Sequence, residues 1–376
     1  MAEAQGFSLK DQLFNAKKVR HLAGLFAAAD AGFDGLAFEA DVMARLAEFE
    51  LKERINWIAD CLEKHLPGAL PETAATLRAA LPPPLDPSRT DDDFGDFIFA
   101  PLGEFVARAG LPDHPDLGLD LIEDITQRFS MEWAIRPYLN CYPDLVLERM
   151  TGWTTHESYH VRRLVSEGTR PRLPWGQAVG LDLDQPLTLL DVLHRDATRY
   201  VTRSVANHLN DITKKDPDMA LDRLRAWVNE GAQTADELDW MTRHALRGLI
   251  KAGHPQAMTM LGYDPEADIE CAIMVKPGPV VIDDVLAFKC HITAKTKTPV
   301  LVDYILWFRK ADGGLRSKVF KLKTAVVQPE KPLEMAKSHR LKGNATTFRL
   351  FPGAHRVELQ VNGRVRASAG FDLTKL

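Results

Sequence analysis

The sequence predicts a multi-domain protein: an all-α, HEAT-like repeat solenoid over residues 1–262, then an all-β, immunoglobulin-like sandwich over residues 271–376. Three observations support this division. Up to about residue 262 apolar residues recur every three or four positions, as on helices, whereas beyond it they alternate, as on strands. Basic residues are concentrated in the second part. Residues 263–270 are predicted to link the two domains.

The helical pattern continues through the whole first part. Its segments are separated by Gly, Pro and Asp, which are typical of helix ends and turns. No convincing strand interrupts them, so this part is predicted to be all-α. The clearest segments are LKDQLFNAKKVRHLAGLFAAA, LAFEADVMARLAEF, ELKERINWIADCLEKHL and PETAATLRAAL.

A 40-residue repeat runs through the later helical segments. Arg163, Arg203 and Arg243 are spaced 40 residues apart, and each follows an aromatic residue or His by three positions. This period is typical of HEAT-like two-helix units, which stack to form a concave face. Two interpretations of the arginine column remain open. The arginines either brace neighbouring helices through carbonyl or Asp groups, or form a ladder of contacts to phosphates.

The second part contains strand-like segments separated by turns. About 100 residues with this alternation favour an antiparallel sandwich of the immunoglobulin-like type. The turns are predicted at ADGG, PGAH and NGR. The strand segments are PVVIDDVLAFKCHITAK, PVLVDYILWFRK, KVFKLKTAVV and HRVELQVNG.

The net charge changes sign between the two parts. The whole chain carries −5, but from residue 271 onward 19 Lys and Arg stand against 8 Asp and Glu, a net charge of +11. The remainder carries −16. A strongly basic domain indicates a polyanionic partner such as DNA, although it could also complement an acidic neighbour.

Several function classes have no support in the sequence. It has no apolar run of 18 residues and no secretory signal, so we expect a cytosolic protein that does not bind membranes. We also expect a monomer. The chain lacks a P-loop, a dinucleotide-binding glycine motif and a serine nucleophile elbow, so we expect no cofactor.

One motif matches a zinc site. The sequence HESYH at 156–160 fits the H-E-x-x-H pattern of zinc peptidases, with His156 and His160 as ligands and Glu157 as base. However, His160 lies in the aromatic column of the repeat, which favours packing. The helix is predicted to begin near Ser158, which leaves His156 in the preceding turn. We therefore expect no metal, and a zinc peptidase is the least favoured alternative function.

Two glutamates and a basic cluster stand out in the middle of the chain. Glu132 interrupts the apolar stripe of a helix predicted over LDLIEDITQRFSMEWAIRPYL, which is costly unless it pairs with Arg136 or faces a cleft. Glu167 lies in a last helical turn, where its charge opposes the helix dipole, although it could simply be solvated. Basic groups around an aromatic residue suit a nucleic-acid surface. This cluster consists of Arg162, Arg163, Arg170, Arg172 and Trp175.

These segments resemble the AlkC-type alkylpurine DNA glycosylases, relatives of AlkD with HEAT-like repeats. The resemblance covers about residues 7–262, and a subset of the family carries a C-terminal immunoglobulin-like domain. The chain has Met-Glu-Trp at 131–133 where the family more often has a small residue, Glu and Phe, but the carboxylate is retained. The matching strings are FNAKKVRHLAGLF, FELKERINWIA, LPPPLDPSRTDDDFGDFIFAPLGEFVARAGL, TQRFSMEWAIRPYL and HVRRLVSEGTRPRLPW.

The resemblance implies a base excision repair enzyme that acts on double-stranded DNA. It would hydrolyse the N-glycosidic bond of cationic bases such as N3-methyladenine and N3-methylcytosine, without a cofactor and without extruding the base. Glu132 and Glu167 would be the catalytic carboxylates, stabilising an oxocarbenium-like sugar and positioning water, and Trp175 would contact the lesion. A non-catalytic DNA-binding repeat protein and a protein-binding scaffold remain as alternatives. The predicted DNA contacts are Arg162, Arg163, Arg170, Arg172, Arg203 and Arg243.

Overall fold

The structure is a computed structural model with all side chains. It describes residues 8–89, 94–343 and 349–375. Within these ranges helices come first and strands follow, so the predicted order of an all-α part and an all-β part is confirmed. None of the described helices combines the length and the apolar character needed to span a bilayer.

The described residues of the first part form sixteen α-helices. Local sequence fixes several of their starts: the Asn15 side chain accepts from the Lys18 amide at 3.2 Å, and Asp34 accepts from the amide of Ala37 at 3.0 Å. The helices are α1 (Leu9–Leu13), α2 (Ala16–Ala29), α3 (Gly35–Arg45), α4 (Leu51–His65), α5 (Leu70–Ala79), α6 (Ala100–Gly110), α7 (Pro115–Thr126), α8 (Ile135–Cys141), α9 (Pro143–Trp153), α10 (Tyr159–Gly168), α11 (Leu187–Leu193), α12 (Arg199–Ile212), α13 (Pro217–Glu230), α14 (Ala235–Ala245), α15 (Arg247–Ala252) and α16 (Pro255–Met260).

The 40-residue repeat corresponds to three of these helices. Arg163, Arg203 and Arg243 lie on α10, α12 and α14, respectively. Helix α10 packs directly against α12. The apolar positions two residues before the first two arginines, Val161 and Val201, are fully buried, as the repeat pattern predicts.

The second part is a sandwich of two sheets. Its strands are β1 (Ile269–Val275), β2 (Val280–Val281), β3 (Val285–Ala294), β4 (Thr298–Arg309), β5 (Leu315–Val327), β6 (Leu333–Arg340), β7 (Gly353–Val361) and β8 (Arg364–Thr374). The described strands are ordered β1-β3-β6 in one sheet and β2-β8-β7-β4-β5 in the other. Neighbouring strands are antiparallel, except that β2 runs parallel to β8. The apolar side chains between the sheets form one core.

The first predicted strand segment contains β2 and β3, and the other three overlap most of β4, β5 and β7, so all four are confirmed. Strands β1, β6 and β8 were not predicted. The sequence of β8, RVRASAGFDLT, is rich in small residues, so the alternation of apolar and polar residues is weak. Strand β8 forms because it pairs with β7 along almost its whole length, although its residues have little strand propensity.

The boundary between the two parts differs from the prediction. Strand β1 begins at Ile269, inside the predicted linker. Tyr263 and Met258 pack together with Leu301 of β4. Accordingly, α15 and α16 belong to a compact unit with the sandwich. That unit comprises the described residues within 216–222 and 245–376, and the other unit those within 1–215 and 223–244.

The predicted turn NGR joins β7 to β8. Asn362 and Gly363 have φ angles of 50° and 80°, as a two-residue hairpin turn requires. The buried Asn362 side chain accepts from the Leu301 amide at 2.9 Å and donates to the Asp264 carbonyl at 3.0 Å. A Cβ on Gly363 would lie 2.8 Å from the carbonyl oxygen of Gly253, so glycine is needed there.

Candidate active site

Glu132 lies on a loop rather than on the predicted helix. Helix α7 ends before this loop, residues 127–134, and α8 begins after it. The carbonyl of Gln127 accepts from the Leu85 amide at 2.9 Å, and Phe129 forms an isolated β-bridge. Backbone groups with partners outside a helix do not need helical hydrogen bonds. The predicted apolar stripe containing Glu132 is therefore wrong.

The partner of Glu132 is Arg163 on α10. Arg163 Nη1 donates to Glu132 Oε2 and to Ser130 Oγ, both at 2.9 Å, and Ser130 donates to the same carboxylate oxygen at 2.9 Å. The alternative interpretation, in which Glu132 forms an ion pair with Arg136, is wrong. Arg136 is buried and donates to two carbonyl oxygens within 168–170, at 2.8 and 3.1 Å.

Glu167 lies in the last turn of α10, as predicted, but it is buried rather than solvated. Only 6% of its side chain is exposed. One carboxylate oxygen accepts from Arg170, and the other accepts from Ser204 Oγ at 2.6 Å and lies 3.7 Å from Arg163 Nη2. Burial by itself would raise the pKa of Glu167, but the two guanidiniums and the Ser204 hydroxyl lower that pKa below its ordinary value.

Arg163 joins the two carboxylates into one unit. Its guanidinium lies over the Tyr200 ring, 4.5 Å from the centroid, which fixes its orientation. Burial would lower the pKa of Arg163, but Glu132 and Glu167 raise it above its ordinary value. Arg163 thus contacts both carboxylates with a single guanidinium and fixes them in one site.

A further group of buried polar residues, on α12, was not predicted from the sequence. Ser204, His208 and Asp211 are all buried, and their spacing places them on one helix face. Arg170 Nε donates to Asp211 Oδ2 at 2.9 Å, and Arg170 Nη2 lies 2.8 Å from the same oxygen. His208 Nδ1 lies 3.1 Å from the Ser166 carbonyl, and burial lowers the pKa of His208 to about 4. Polar residues at helical spacing on a core-facing stripe were the signal available in the sequence.

Three of the arginines predicted to contact DNA have acidic protein partners. Arg163 and Arg170 bind the two glutamates as described, and both are largely buried. Arg162 forms an ion pair with Asp196 and donates to the His156 carbonyl at 2.8 Å. For Arg163 these contacts favour the bracing interpretation, and contact of the three arginines with DNA stays a prediction.

The other three arginines differ in their surroundings. Arg172 is exposed, in the segment that follows α10. Arg243 is exposed on α14 and donates to Asp239 at 2.8 Å. Arg203 is half-buried on α12. Contact of these residues with phosphates stays a prediction.

Trp175 has two features that a structural role does not explain. Its side chain is 61% exposed, which is unusual for a large aromatic residue. Its φ angle is 71°, in the left-handed region that non-glycine residues rarely adopt and that is often found at functional sites. The backbone is held by Lys52, which donates to the Trp175 carbonyl at 2.7 Å. Its contact with a lesion stays a prediction.

The HESYH segment has mainly structural contacts. Helix α10 begins at Tyr159, so His156 lies before it, as predicted. His156 Nδ1 accepts from the Ser158 amide at 2.9 Å, and its Nε2 lies 3.4 Å from Glu123. His160 is buried and packs against aromatic rings. Over the described part of the chain, no three His, Cys, Asp or Glu side chains are grouped to hold a metal.

The lowered pKa of Glu167 predicts a pH-dependent contribution to stability. The ionised side chain stabilises the fold above its ordinary pKa of 4.5, and this contribution is lost as the pH falls through the lowered value. We expect Glu167→Gln to lower the free energy of unfolding most at neutral pH, with a difference from the wild type that shrinks below pH 4.5. Urea unfolding across this range measures it. A difference that does not change with pH would contradict the ion pairing described above.

Comparisons with known proteins agree with this architecture. Residues 270–375 match the family model described as "Uncharacterised protein YhaZ, C-terminal Ig-like domain". The YhaZ protein of Bacillus subtilis (strain 168) is 31% identical over 330 residues, covering 87% of this chain and 88% of YhaZ. The structure of Pseudomonas fluorescens alkylpurine DNA glycosylase AlkC, bound to DNA containing an abasic site analog, has a TM-score of 0.85 and 30% identity, covering 98% of this chain and 100% of AlkC. The predicted fold class and resemblance are confirmed, and the chain belongs to the AlkC family, in the form with a C-terminal immunoglobulin-like domain.

Proposed function

We propose that this protein is a DNA repair glycosylase that hydrolyses the N-glycosidic bond of alkylated bases in double-stranded DNA. The observation that carries the proposal is the pair of carboxylates, Glu132 and Glu167, bound to the single cation of Arg163. The similarity to a DNA-bound alkylpurine glycosylase along nearly the whole chain supports it.

The proposed chemistry depends on electrostatic stabilisation. As the N-glycosidic bond breaks, the sugar becomes oxocarbenium-like, and fixed negative charges nearby stabilise it. In the described hydrogen bonds of Glu132, only Oε2 accepts, so Oε1 is available to face the sugar or to orient a water. The Glu132 side chain is 20% exposed, which suits contact with DNA.

The nature of the leaving group explains the proposed substrates. A base methylated at N3, such as N3-methyladenine or N3-methylcytosine, is already cationic and leaves without protonation by a general acid. We propose that such bases are excised without extrusion into a pocket, with no cofactor, by a monomer in the cytosol. The proposal requires only that the carboxylates reach the anomeric carbon.

We further propose that the sandwich domain contributes to DNA binding. From residue 271 onward the chain carries a net charge of +11, and neutralising phosphates with such a surface gives affinity that does not depend on sequence. Stabilisation of an acidic neighbour is a weaker explanation, because surface ion pairs contribute little individually.

The experiment that tests the proposed function is incubation of the protein with methylated duplex DNA. Chromatography with mass spectrometry identifies the released bases, and abasic sites are counted in the same samples. We expect one abasic site for each N3-methylated base released. If the folded protein binds the DNA but releases no base, the proposed function is wrong and a non-catalytic DNA-binding role is favoured.

Trp175 offers a separate test of lesion contact. Stacking of a base on an aromatic side chain contributes about 1–3 kcal/mol. We therefore expect Trp175→Ala to weaken binding to lesion-containing duplex by about 10-fold or more, with a much smaller change for undamaged duplex. Fluorescence anisotropy with both duplexes measures the two affinities. Equal losses on both duplexes would show that Trp175 does not contact the lesion.

A further inference from the structure

We infer that Asp211, on α12, is a positioning residue for this site. It holds Arg170, and through Arg170 it fixes the carboxylate of Glu167 on α10. The inference rests on the proposed glycosylase function, because positioning matters only if Glu167 takes part in a reaction. Asp211 itself is separated from Glu167 by the Arg170 side chain, so it acts through another residue.

The contacts show that Arg170 is held from two sides. Its Nε donates to Asp211 Oδ2 at 2.9 Å and its Nη2 lies 2.8 Å from that oxygen, while Nη1 donates to Glu167. The other oxygen of Asp211 accepts from Lys214 Nζ at 2.7 Å. The Arg170 and Asp211 side chains are only 11% and 3% exposed, so water does not compete strongly for these bonds. A guanidinium bound in this way cannot turn without breaking buried hydrogen bonds.

These residues form one chain of alternating charge. Asp211 offsets the positive charge of Arg170 and keeps Arg170 from moving further onto Glu167, so the negative charge of the Glu167 carboxylate is neutralised less completely. In order from the half-exposed end, the chain consists of Lys214, Asp211, Arg170, Glu167, Arg163 and Glu132.

The arrangement of α12 supports a role beyond packing. Asp211 lies in the last turn of this helix, where a negative charge opposes the helix dipole, so local helix stability does not favour it. Ser204 and His208 share its face, and buried polar groups are costly unless they are paired. All three are directed at the end of α10: Ser204 contacts Glu167, His208 contacts the Ser166 carbonyl, and Asp211 contacts Arg170. This face of α12 therefore fixes the last turn of α10.

The test is Asp211→Asn in the full-length protein. Asparagine keeps the size of the side chain and removes its charge. We expect single-turnover excision of N3-methyladenine to slow by about 10-fold or more, because a small displacement of a catalytic group has a large effect on rate. Affinity for abasic duplex should stay within about threefold. Asp191→Asn is the matched control, since Asp191 also joins two helices through Arg223 and Trp227 but lies outside this charge chain.

A double-mutant cycle separates positioning from a merely structural role. If Asp211 acts through Glu167, then Asp211→Asn should have little further effect on the rate in a Glu167→Gln background. Rate losses that multiply in the double mutant, or the same loss in Asp191→Asn, would overturn the inference.

The wild type, Asp211→Asn, Glu167→Gln and the double mutant also distinguish failure of this inference from failure of the proposed function. If the wild type releases no base, the proposed function fails, and the link between the residues is then measured by urea unfolding. Arg170 keeps one acidic partner in each single mutant and none in the double mutant, so the two changes in unfolding free energy should not add. Additive changes in unfolding free energy would show that Asp211 and Glu167 are not linked through Arg170, whether or not the protein excises bases.

Discussion

Replacing Glu132 with Gln is expected to slow excision of N3-methyladenine at least about 100-fold while DNA affinity changes only a few-fold. Glutamine keeps the hydrogen-bonding shape but cannot stabilise a developing positive charge on the sugar. Glu167→Gln should have an effect of the same order, because it removes the second negative charge beside Arg163. Single-turnover excision on a duplex with one lesion measures both rates.

Glu157→Gln is the matched control for these variants. Glu157 is an exposed carboxylate in the turn before α10 and would be the base of a zinc peptidase. We expect its excision rate to equal that of the wild type. Wild-type rates in both Glu132→Gln and Glu167→Gln would remove the catalytic assignment.

The second large effect is expected from removal of the sandwich domain. The structure places the cut after His244 rather than at the predicted boundary, because α15, α16 and the strands belong to one unit. DNA affinity and excision should each fall at least about 10-fold, and the salt dependence of binding should become weaker, because the most basic part of the chain is absent. Filter binding at several matched ionic strengths measures the affinity and its salt dependence, and single-turnover excision measures the rate.

Two controls accompany the truncation. Circular dichroism must show that the remaining helices are folded. In the full-length chain, Lys321→Gln with Lys323→Gln removes two exposed charges from β5 and should reduce the salt slope by up to about one unit for each lost phosphate contact. Unchanged affinity and salt slope in the truncated protein would show that the domain does not contribute to DNA binding.

The sequence predicted those features that depend on local periodicity. The change from helices to strands, the repeat positions on α10, α12 and α14, and the Asn-Gly turn were all visible as residue patterns. Strand β8 was missed because its small residues carry little strand propensity, and its position is set by pairing with β7.

The site was predicted less completely, because its geometry depends on contacts between distant segments. Glu132 was assigned to a helix because helical spacing continues through the loop, whereas the loop backbone pairs with Leu85 and, through the Phe129 bridge, with Gly95. The partner of Glu132 is 31 residues away on α10, and that of Arg170 is 41 residues away on α12. Such pairings cannot be read from spacing along a single helix, so the ion pairs of Arg163 and Arg170 became clear only in three dimensions.

We propose that this protein cleaves the N-glycosidic bond of a cationic alkylated base. To test this activity, a duplex that contains a single N3-methyladenine is incubated with excess protein. Free N3-methyladenine and an alkali-labile site at that one position are measured together. We expect both products to form in equal amounts with the wild type, with none from undamaged duplex and far less with Glu132→Gln. Tight binding to the lesion duplex without either product would contradict it.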